Sequence, residues 1–267
     1  MERYNNKKKP KQPPVEEMQM EENKGILAGR NAVMEQLKSD APIDKLFVAK
    51  GEREGSIKLI CALALEKGIP LMECDKNKLD RMAGGSWHQG VVAMVAQKEY
   101  VSLDDLFAIA ESRGEAPFFV ICDGISDPHN LGALIRCAEG AGAHGVILSK
   151  RHCVGLTPVA AKASAGALSH MAVAKVPNIA SAIETLKERG VWVYGAEAGG
   201  SSLYKTDLTG PAAFVMGSEG EGISRLVKEK CDFIVSIEMY GHVNSFNVSC
   251  AAAVVLCEAA HQRHGKG

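Results

Sequence analysis

The sequence predicts an α/β protein made of two units, and three observations support this fold class. The chain has 267 residues, 46% of them hydrophobic, enough for one large or two ordinary domains. Short apolar runs alternate with amphipathic helical stretches from residue 25 onward. Apolar runs at residues 214–216 and 233–237 each end in a polar, glycine-rich loop that leads into a helix. Open α/β sheets bind ligands at such strand ends.

Residues 1–24 are predicted to form a disordered tail. Its lysines, at positions 7, 8, 9 and 11, precede a cluster of glutamates, and almost no apolar side chain is available for burial. The lysine run is either a solvated segment or an arm that contacts phosphates.

Residues 25–97 are predicted to form a compact α/β unit, followed by a helix-containing linker at residues 98–115. The elements of the unit, in order, are a short strand or turn and a helix within 25–40, a strand at 43–50, a helix at 56–68, a strand at 69–75, a helix at 76–84 and a strand at 90–97.

Residues 116–267 are predicted to form a second α/β unit. Five apolar residues in a row, 118–122, are typical of a parallel strand that is covered on both faces. The predicted strands are 116–125, 145–149, 172–176, 191–198, 214–216 and 233–237. The predicted helices are 130–143, 157–171, 178–190, 223–230 and 248–261.

Bulk composition excludes few functions. The formal net charge is −1, so overall charge neither favours nor opposes nucleic-acid binding. The eight cysteines form no CxxC pair and no metal-ligand spacing with histidine, which indicates reduced, buried thiols in a cytoplasmic protein without a metal. Neither an apolar run of about eighteen residues nor a signal-peptide pattern is present, so no membrane partner is expected.

The first stretch with a chemical pattern is DGISDPHNLGALIR, residues 123–136. Pro128 excludes regular helix just before it, and Asn130 is predicted to cap the helix that follows. Arg136 lies in an otherwise apolar helix near the C-terminal end of a strand. This position favours a functional role over that of an arginine extended across the surface.

The second stretch is GSEGEG, residues 217–222, whose glycines let the backbone approach a ligand closely. Its spacing matches neither the dinucleotide fingerprint nor a P-loop, which disfavours a Rossmann-type oxidoreductase. Glu219 either caps the next helix, with Ser224 as a second candidate, or orients a substrate or a basic partner such as Arg136.

The third stretch is IEMYGHVNSFN, residues 237–247. One cap for the following helix needs one polar side chain, whereas Asn244, Ser245 and Asn247 crowd into four residues. The excess predicts a polar site on an apolar scaffold. His242 is interpreted as a loop residue rather than a catalyst.

The three stretches resemble, in order and spacing, the motifs of the SpoU, or TrmH-type, family of RNA ribose 2′-O-methyltransferases of the SPOUT class. Asn130, Gly132 and Arg136 match the first motif. Two positions depart from the family pattern: Glu238 replaces a usual proline, which loosens the loop, and Phe246 replaces a usual leucine.

Residues 25–97 also resemble the ribosomal-protein-like substrate-binding domain that precedes the catalytic domain in many members. Together the two resemblances point to the RlmB-like branch, which methylates a guanosine ribose in large-subunit (23S) rRNA. The alternatives are a tRNA ribose 2′-O-methyltransferase, an antibiotic-resistance rRNA methyltransferase, and a non-catalytic RNA-binding ribosome-assembly factor.

The resemblance implies a deep trefoil α/β knot in residues 116–267, S-adenosylmethionine as cofactor and a homodimer. The implied catalytic residues are Arg136, Asn130, Glu219, Ser245 and Asn247. The implied cofactor-binding residues are Gly217, Ile237, Met239 and Phe246. An arginine stays protonated near neutral pH, so Arg136 is expected to stabilise the developing alkoxide rather than act as a base.

The implied partner is RNA rather than DNA, bound by the N-terminal unit and by the tail. The candidate basic contacts of the N-terminal unit are Arg30, Lys45, Lys50, Arg53 and Arg81.

Overall fold

The computed structural model describes residues 25–38, 42–51, 55–84 and 86–265. The predicted tail, residues 1–24, and the predicted RNA contact Arg53 lie outside the described residues. Two sheets, one of four strands and one of six, organise the described part of the chain. None of its helices combines the length and apolar character that a membrane crossing requires.

The N-terminal sheet has the strand order β1–β4–β2–β3, with β2 and β3 parallel and the other pairs antiparallel. Its strands are β1 Ile26–Ala28, β2 Ile43–Ala49, β3 Leu71–Cys74 and β4 Val91–Val95. Its helices are α1 Arg30–Lys38, α2 Ser56–Glu66 and α3 Lys76–Ala83. Leu46 packs on one face with Ile57, while Phe47 packs on the other with Leu79, so helices cover both faces of β2.

The C-terminal sheet is parallel throughout, in the order β10–β8–β9–β5–β6–β7. Its strands are β5 Phe118–Cys122, β6 Gly145–Ser149, β7 Val173–Val176, β8 Trp192–Ser202, β9 Ala212–Met216 and β10 Phe233–Ser236. Every residue of β5 is buried, as its continuous apolar run predicted, and every residue of β9 is buried as well.

The helices around this sheet are α4 Leu103–Arg113, α5 Pro128–Gly140, α6 Pro158–Ala163, α7 Ile179–Glu188, α8 Arg225–Lys230 and α9 Val248–His264. Helix α4 lies in the predicted linker, yet it packs on the sheet, with Phe107 and Phe119 ring centroids 5.1 Å apart. The apolar side chains of this segment make it a covering layer rather than a free connection.

Helix α5 begins earlier than the sequence predicted. Asp127 is the cap, because its side chain accepts a hydrogen bond from the His129 backbone N–H at 3.1 Å. Pro128 follows at the first helical position, where its missing N–H costs nothing. The prediction that Asn130 caps the helix is therefore wrong, and its side chain is available for other contacts.

The predicted helix at 157–171 is shorter than expected. It ends with α6, and the positive φ angles of Ala165 and Gly166, 49° and 93°, turn the chain into a 3₁₀ segment at Ala167–Ser169. Positive φ at a non-glycine residue interrupts a right-handed helix.

A buried ion pair joins the two units. Asp44 of β2 is 1% exposed and accepts hydrogen bonds from Lys175 of β7 and from the Tyr100 hydroxyl. A Cβ at Gly155 would lie 2.2 Å from the Asp44 carboxylate, so glycine is required there. Lys45, predicted above as an RNA contact, instead donates across the same interface to the Cys153 carbonyl at 3.2 Å.

A cavity of about 410 Å³ opens beside this pair. Lys67, Lys150 and Lys175 contribute to its lining, together with residues 68–70. Burial lowers the pKa of Lys175, and the neighbouring Asp44 carboxylate opposes that effect.

Candidate functional site

A larger cavity, of about 650 Å³, lies where β9 and β10 end, against the middle of β8. Four segments line it. They are residues 196–198, residues 216–220 with Gly222, the three residues Val235, Ile237 and Met239, and residues 244–248 with Ala251. Its volume falls in the range of about 300–1,000 Å³ that is typical of small-molecule sites. Strand ends in a parallel sheet and the start of a long helix, α9, meet here, as the strand-end rule predicts.

The glycine loop at 217–222 is a closed turn. Ser218 and Gly222 exchange backbone hydrogen bonds, both of 3.0 Å, and Gly220 and Gly222 have φ angles of 88° and 69°. A Cβ at Gly217 would lie 2.3 Å from the Gly222 backbone. The loop therefore needs glycine for its own packing, and it presents backbone to the cavity.

The third motif forms the other wall of the cavity. Ile237, Met239, Ser245 and Phe246 all line it, and Phe246 is 47% exposed. Asn244, which precedes Ser245 in the same loop, lines the cavity as well.

Glu238, which replaces the proline expected in this loop, ties the loop to the end of β8. Its carboxylate accepts a hydrogen bond from the Ser202 hydroxyl, which lowers the pKa of Glu238. The sequence predicted a looser loop at this position, whereas the structure shows a side-chain tether in place of the stiffening that proline provides.

An amide–carboxylate cluster joins three motifs that are distant in sequence. The Asn130 Nδ2 donates to Glu219 Oε1 at 3.0 Å, and the Asn247 Nδ2 donates to Asn130 Oδ1 at 3.0 Å and to Glu219 Oε1. The Asn247 Oδ1 accepts from the Ser249 backbone N–H at 2.9 Å and so caps α9. Asn247 therefore caps α9 and also belongs to a polar cluster, the two roles that its sequence position suggested.

Glu219 makes no capping contact with α8. Ser224 occupies the cap position, but its side chain makes no capping hydrogen bond. Asp123, at the end of β5, accepts a hydrogen bond from the Ser224 backbone N–H at 2.7 Å. Asp123 thus fixes the start of α8, and Glu219 remains available to the amide–carboxylate cluster.

Arg136 lies outside this cavity. It is exposed on α5 and makes no hydrogen bond or ion pair with the residues that the structure describes. The predicted contact between Glu219 and Arg136 is absent there, because two asparagine amides hold the Glu219 carboxylate. Six residues separate Arg136 from Asn130, which is about 1.7 helical turns, so the two side chains leave different faces of α5.

Glu197, which the sequence analysis did not single out, lines the cavity from β8. Its Oε1 accepts from Lys228 Nζ at 2.6 Å, whereas its buried Oε2 has no partner among the described residues. A carboxylate within an otherwise apolar strand would have been the signal for it. With Glu197 and Glu219 in its wall, the cavity suits a ligand that carries positive charge and hydrogen-bond donors.

Each of the two units matches the model of a methyltransferase protein family. Residues 117–257 match the model of the SpoU rRNA Methylase family. Residues 26–101 match the model described as RNA 2′-O ribose methyltransferase substrate binding.

Curated relatives match along almost their entire length. The Putative TrmH family tRNA/rRNA methyltransferase YacO of Bacillus subtilis (strain 168) is 45% identical over 249 residues, which is 93% of this chain and 100% of that protein. The Putative TrmH family tRNA/rRNA methyltransferase of Staphylococcus haemolyticus (strain JCSC1435) is 43% identical over 91% of this chain and 97% of its own.

Solved structures share the fold. The SpoU methyltransferase AviRb from Streptomyces viridochromogenes, in complex with the cofactor AdoMet, has a TM-score of 0.58 at 23% identity and covers 90% of each chain. The A. aeolicus TrmH/SpoU tRNA modifying enzyme has a TM-score of 0.52 at 24% identity and covers 61% of this chain and 85% of its own. The predicted SPOUT fold class with a smaller N-terminal substrate-binding domain is confirmed.

Proposed function

This chain belongs to the SpoU rRNA methylase family, and on that premise we propose that it methylates a ribose 2′-hydroxyl in large-subunit rRNA. The nucleotide we propose is a guanosine, the methyl donor is S-adenosylmethionine, and the enzyme works in the cytoplasm. The observation that carries the proposal is the cavity at the ends of β9 and β10 and beside the middle of β8, with the amide–carboxylate cluster of Asn130, Glu219 and Asn247 next to it.

The residues of the cavity fit this cofactor. S-adenosylmethionine supplies an electrophilic methyl group on a positively charged sulfur. The unpartnered, buried Oε2 of Glu197 would accept a hydrogen bond from the cofactor or lie against its cationic part. We assign Gly217, Ile237, Met239 and Phe246 to hold its adenosine part, because these residues give the cavity exposed backbone and apolar surface.

The bound cofactor would supply the methyl group to the 2′-oxygen and leave as a neutral thioether, and the hydroxyl proton would pass to water. Glu219, Asn247 and Ser245 line the cavity with hydrogen-bonding groups that would position that hydroxyl. Asn130 acts behind them, because its amide donates to the Glu219 carboxylate. Arg136 is exposed and lies outside the cavity, so we assign it to an RNA phosphate that flanks the reacting ribose.

We also propose a homodimer that forms through α9. From Cys250 to Cys257 this helix is apolar on all sides, yet Val254 and Cys257 remain partly or fully exposed. A helix that is hydrophobic all round is normally buried. The contact between Cys137 Sγ and the Ser249 carbonyl, 3.7 Å, shows that α5 lies beside the start of α9. A dimer through α9 would therefore lie close to the proposed catalytic site.

The N-terminal domain favours rRNA over tRNA as substrate. Structures whose names include rRNA methyltransferase cover 91% of this chain, whereas the two named for tRNA modification cover 61% and 55%. The curated relatives carry both RNAs in their names, so tRNA is the second candidate.

The test is transfer of labelled methyl groups from S-adenosylmethionine to unmodified large-subunit rRNA and, separately, to bulk tRNA. The proposal predicts label at one guanosine of the rRNA, at a position that resists alkaline cleavage because the 2′-oxygen is methylated. Label on tRNA would overturn the substrate. Absence of label on either RNA, and on assembling ribosomal particles, would favour a non-catalytic assembly factor.

A further inference from the structure

The N-terminal domain displays a tryptophan to solvent. Trp87 is 85% exposed, in the loop that leads into β4. Tryptophan is highly buried on average, because hydration of its large apolar ring is unfavourable. A single exposed ring is not evidence of binding by itself, so the loop that carries Trp87 and the groups around its ring decide what it can bind.

The loop that carries Trp87 is fixed on both sides. The Arg30 Nε donates to the Gln89 carbonyl at 2.9 Å, and the Arg30 backbone N–H donates to Gln89 Oε1 at 3.2 Å. The Gly90 N–H donates to His88 Nδ1 at 2.9 Å, which leaves His88 Nε2 to donate to Asp80 Oδ1 at 3.0 Å. The ring is thus presented by an ordered turn, which reduces the entropy lost on binding.

The surroundings of the ring suit a nucleotide. A depression of about 810 Å³ is lined by Arg30, Lys76 and Trp87. Among the described residues of that lining Asp80 is the acid, and His88 donates a hydrogen bond to it. Arginine and lysine side chains bind phosphates, while an exposed aromatic ring offers a stacking surface to any base.

We propose that Trp87 is the stacking platform for one unpaired base of the RNA substrate, with Arg30 and Lys76 at the adjacent phosphates. Unpaired bases are the usual targets of RNA recognition, since they can leave a helix and stack on an aromatic side chain. The inference rests on the proposed function only in taking RNA as the ligand. The match of residues 26–101 to a substrate-binding domain favours RNA over a protein partner.

The chain offers a direct spectroscopic test, because it contains only two tryptophans. In Trp192→Phe, Trp87 is the sole tryptophan, and its fluorescence reports contact with a base. We expect quenching on titration with a short RNA hairpin that has an unpaired loop, and little quenching with a fully paired duplex of the same stem. Equal quenching by both, or none by the hairpin, would overturn the proposal.

Affinity measurements with the full chain complete the test. We expect Trp87→Ala to weaken hairpin binding about 5- to 150-fold, the range that corresponds to loss of one stacked base. Trp87→Phe should retain part of the affinity, and Trp192→Ala should bind like the unmodified chain. The slope of log binding constant against log salt concentration should become shallower by about one in Lys76→Ala, because one phosphate contact is lost. Trp87→Ala should leave that slope unchanged.

The result separates this inference from the proposed methyl transfer. Hairpin affinity that depends on Trp87 in a chain without transferase activity would support the platform and contradict the activity. Transferase activity in a chain whose hairpin affinity is unchanged by Trp87→Ala would contradict the platform alone. If the surface around Trp87 binds a protein partner or a second copy of this chain instead, Trp87→Ala would likewise leave hairpin affinity unchanged.

Discussion

Glu219 is the residue on which the amide–carboxylate cluster depends, because both asparagine amides donate to its Oε1. We predict that Glu219→Ala lowers the methyl-transfer rate about 100- to 1000-fold, as expected when an oriented polar group is lost from a reacting centre. Single-turnover rates at saturating cofactor would measure the change.

Glu221→Ala is the matched control for this prediction. Glu221 lies in the same loop, is exposed, and does not line the cavity. Its replacement should leave the rate within a small factor of that of the unmodified chain. Equal losses in the two variants would assign the effect to the loop and not to the Glu219 carboxylate.

His144 should make stability depend on pH. It is buried, and its Nδ1 accepts from the Phe118 N–H at 3.0 Å while its Nε2 contacts Glu115 Oε2 at 3.0 Å. Burial lowers the pKa of His144 below its usual 6.5, despite the contact with Glu115. Below about pH 6.5 the unfolded chain therefore binds a proton that the folded chain does not, and the free energy of unfolding falls as pH decreases.

Urea unfolding from about pH 8 to about pH 5 would measure this effect. We expect the unmodified chain to lose up to about 1.4 kcal/mol per pH unit in the window below the unfolded pKa. His144→Gln should be less stable at neutral pH but less sensitive to acid. The exposed His264, replaced in the same way, should leave the pH dependence unchanged; if His144→Gln retains it too, another group is responsible.

The two loops around the cavity could be predicted from their place after apolar strands, as Gly217 and Ser245 illustrate, whereas Phe246 came only from the family resemblance. Arg136 could not be placed, because its direction depends on where α5 begins, and Asp127 rather than Asn130 sets that start. Glu197 was missed because a single carboxylate within a strand carries no motif. Its significance lies in a buried oxygen without a partner, which only the three-dimensional structure reveals.

At the scale of elements, α5 and α6 approach each other closely at Gly132. A Cβ there would lie 2.4 Å from the Ala160 carbonyl oxygen and 2.5 Å from the Ala163 Cβ. We predict that Gly132→Ala destabilises the protein by about 1–3 kcal/mol, the usual cost of overpacking. Denaturant unfolding would measure the loss.

Gly140→Ala serves as the control, since Gly140 lies on the same helix with nothing within 4 Å of the added methyl group. Alanine has the higher helix propensity, so this variant should match or exceed the stability of the unmodified chain by up to about 1 kcal/mol. If both variants lose the same stability, helix packing at Gly132 is not the cause.

Most element types were predictable because apolar periodicity is local, as the fully buried β5 and β9 show. The break after α6 could not be predicted. It depends on a positive φ at Ala165, and an alanine in the sequence does not indicate that conformation. The packing of α4 on the sheet was equally hidden, since the partner surface, including Phe119, lies elsewhere in the chain.

At the scale of the whole molecule, the Asp44–Lys175 pair sets how the two units meet. We predict that Lys175→Met costs about 3–5 kcal/mol of stability, because the Asp44 carboxylate would remain buried without its counter-charge. The double variant Asp44→Asn, Lys175→Met should recover part of that loss.

Lys150→Met is the control for the same interface. Lys150 lines the neighbouring cavity without taking part in the buried pair, so its replacement should change stability by less than about 0.5 kcal/mol. Urea unfolding of the four proteins would decide. A double variant as unstable as Lys175→Met would show that the buried charge is not the source of the loss.

The central claim is that the cofactor binds where β9 and β10 end, beside the middle of β8. Amide hydrogen exchange of the full chain, with and without saturating S-adenosylmethionine, tests it most directly. We predict slower exchange at residues 217–222 and 237–247, the two loops that wall the cavity. Protection confined to residues 67–70 and Lys150, beside the interface cavity, would contradict the claim, as would no protection at all.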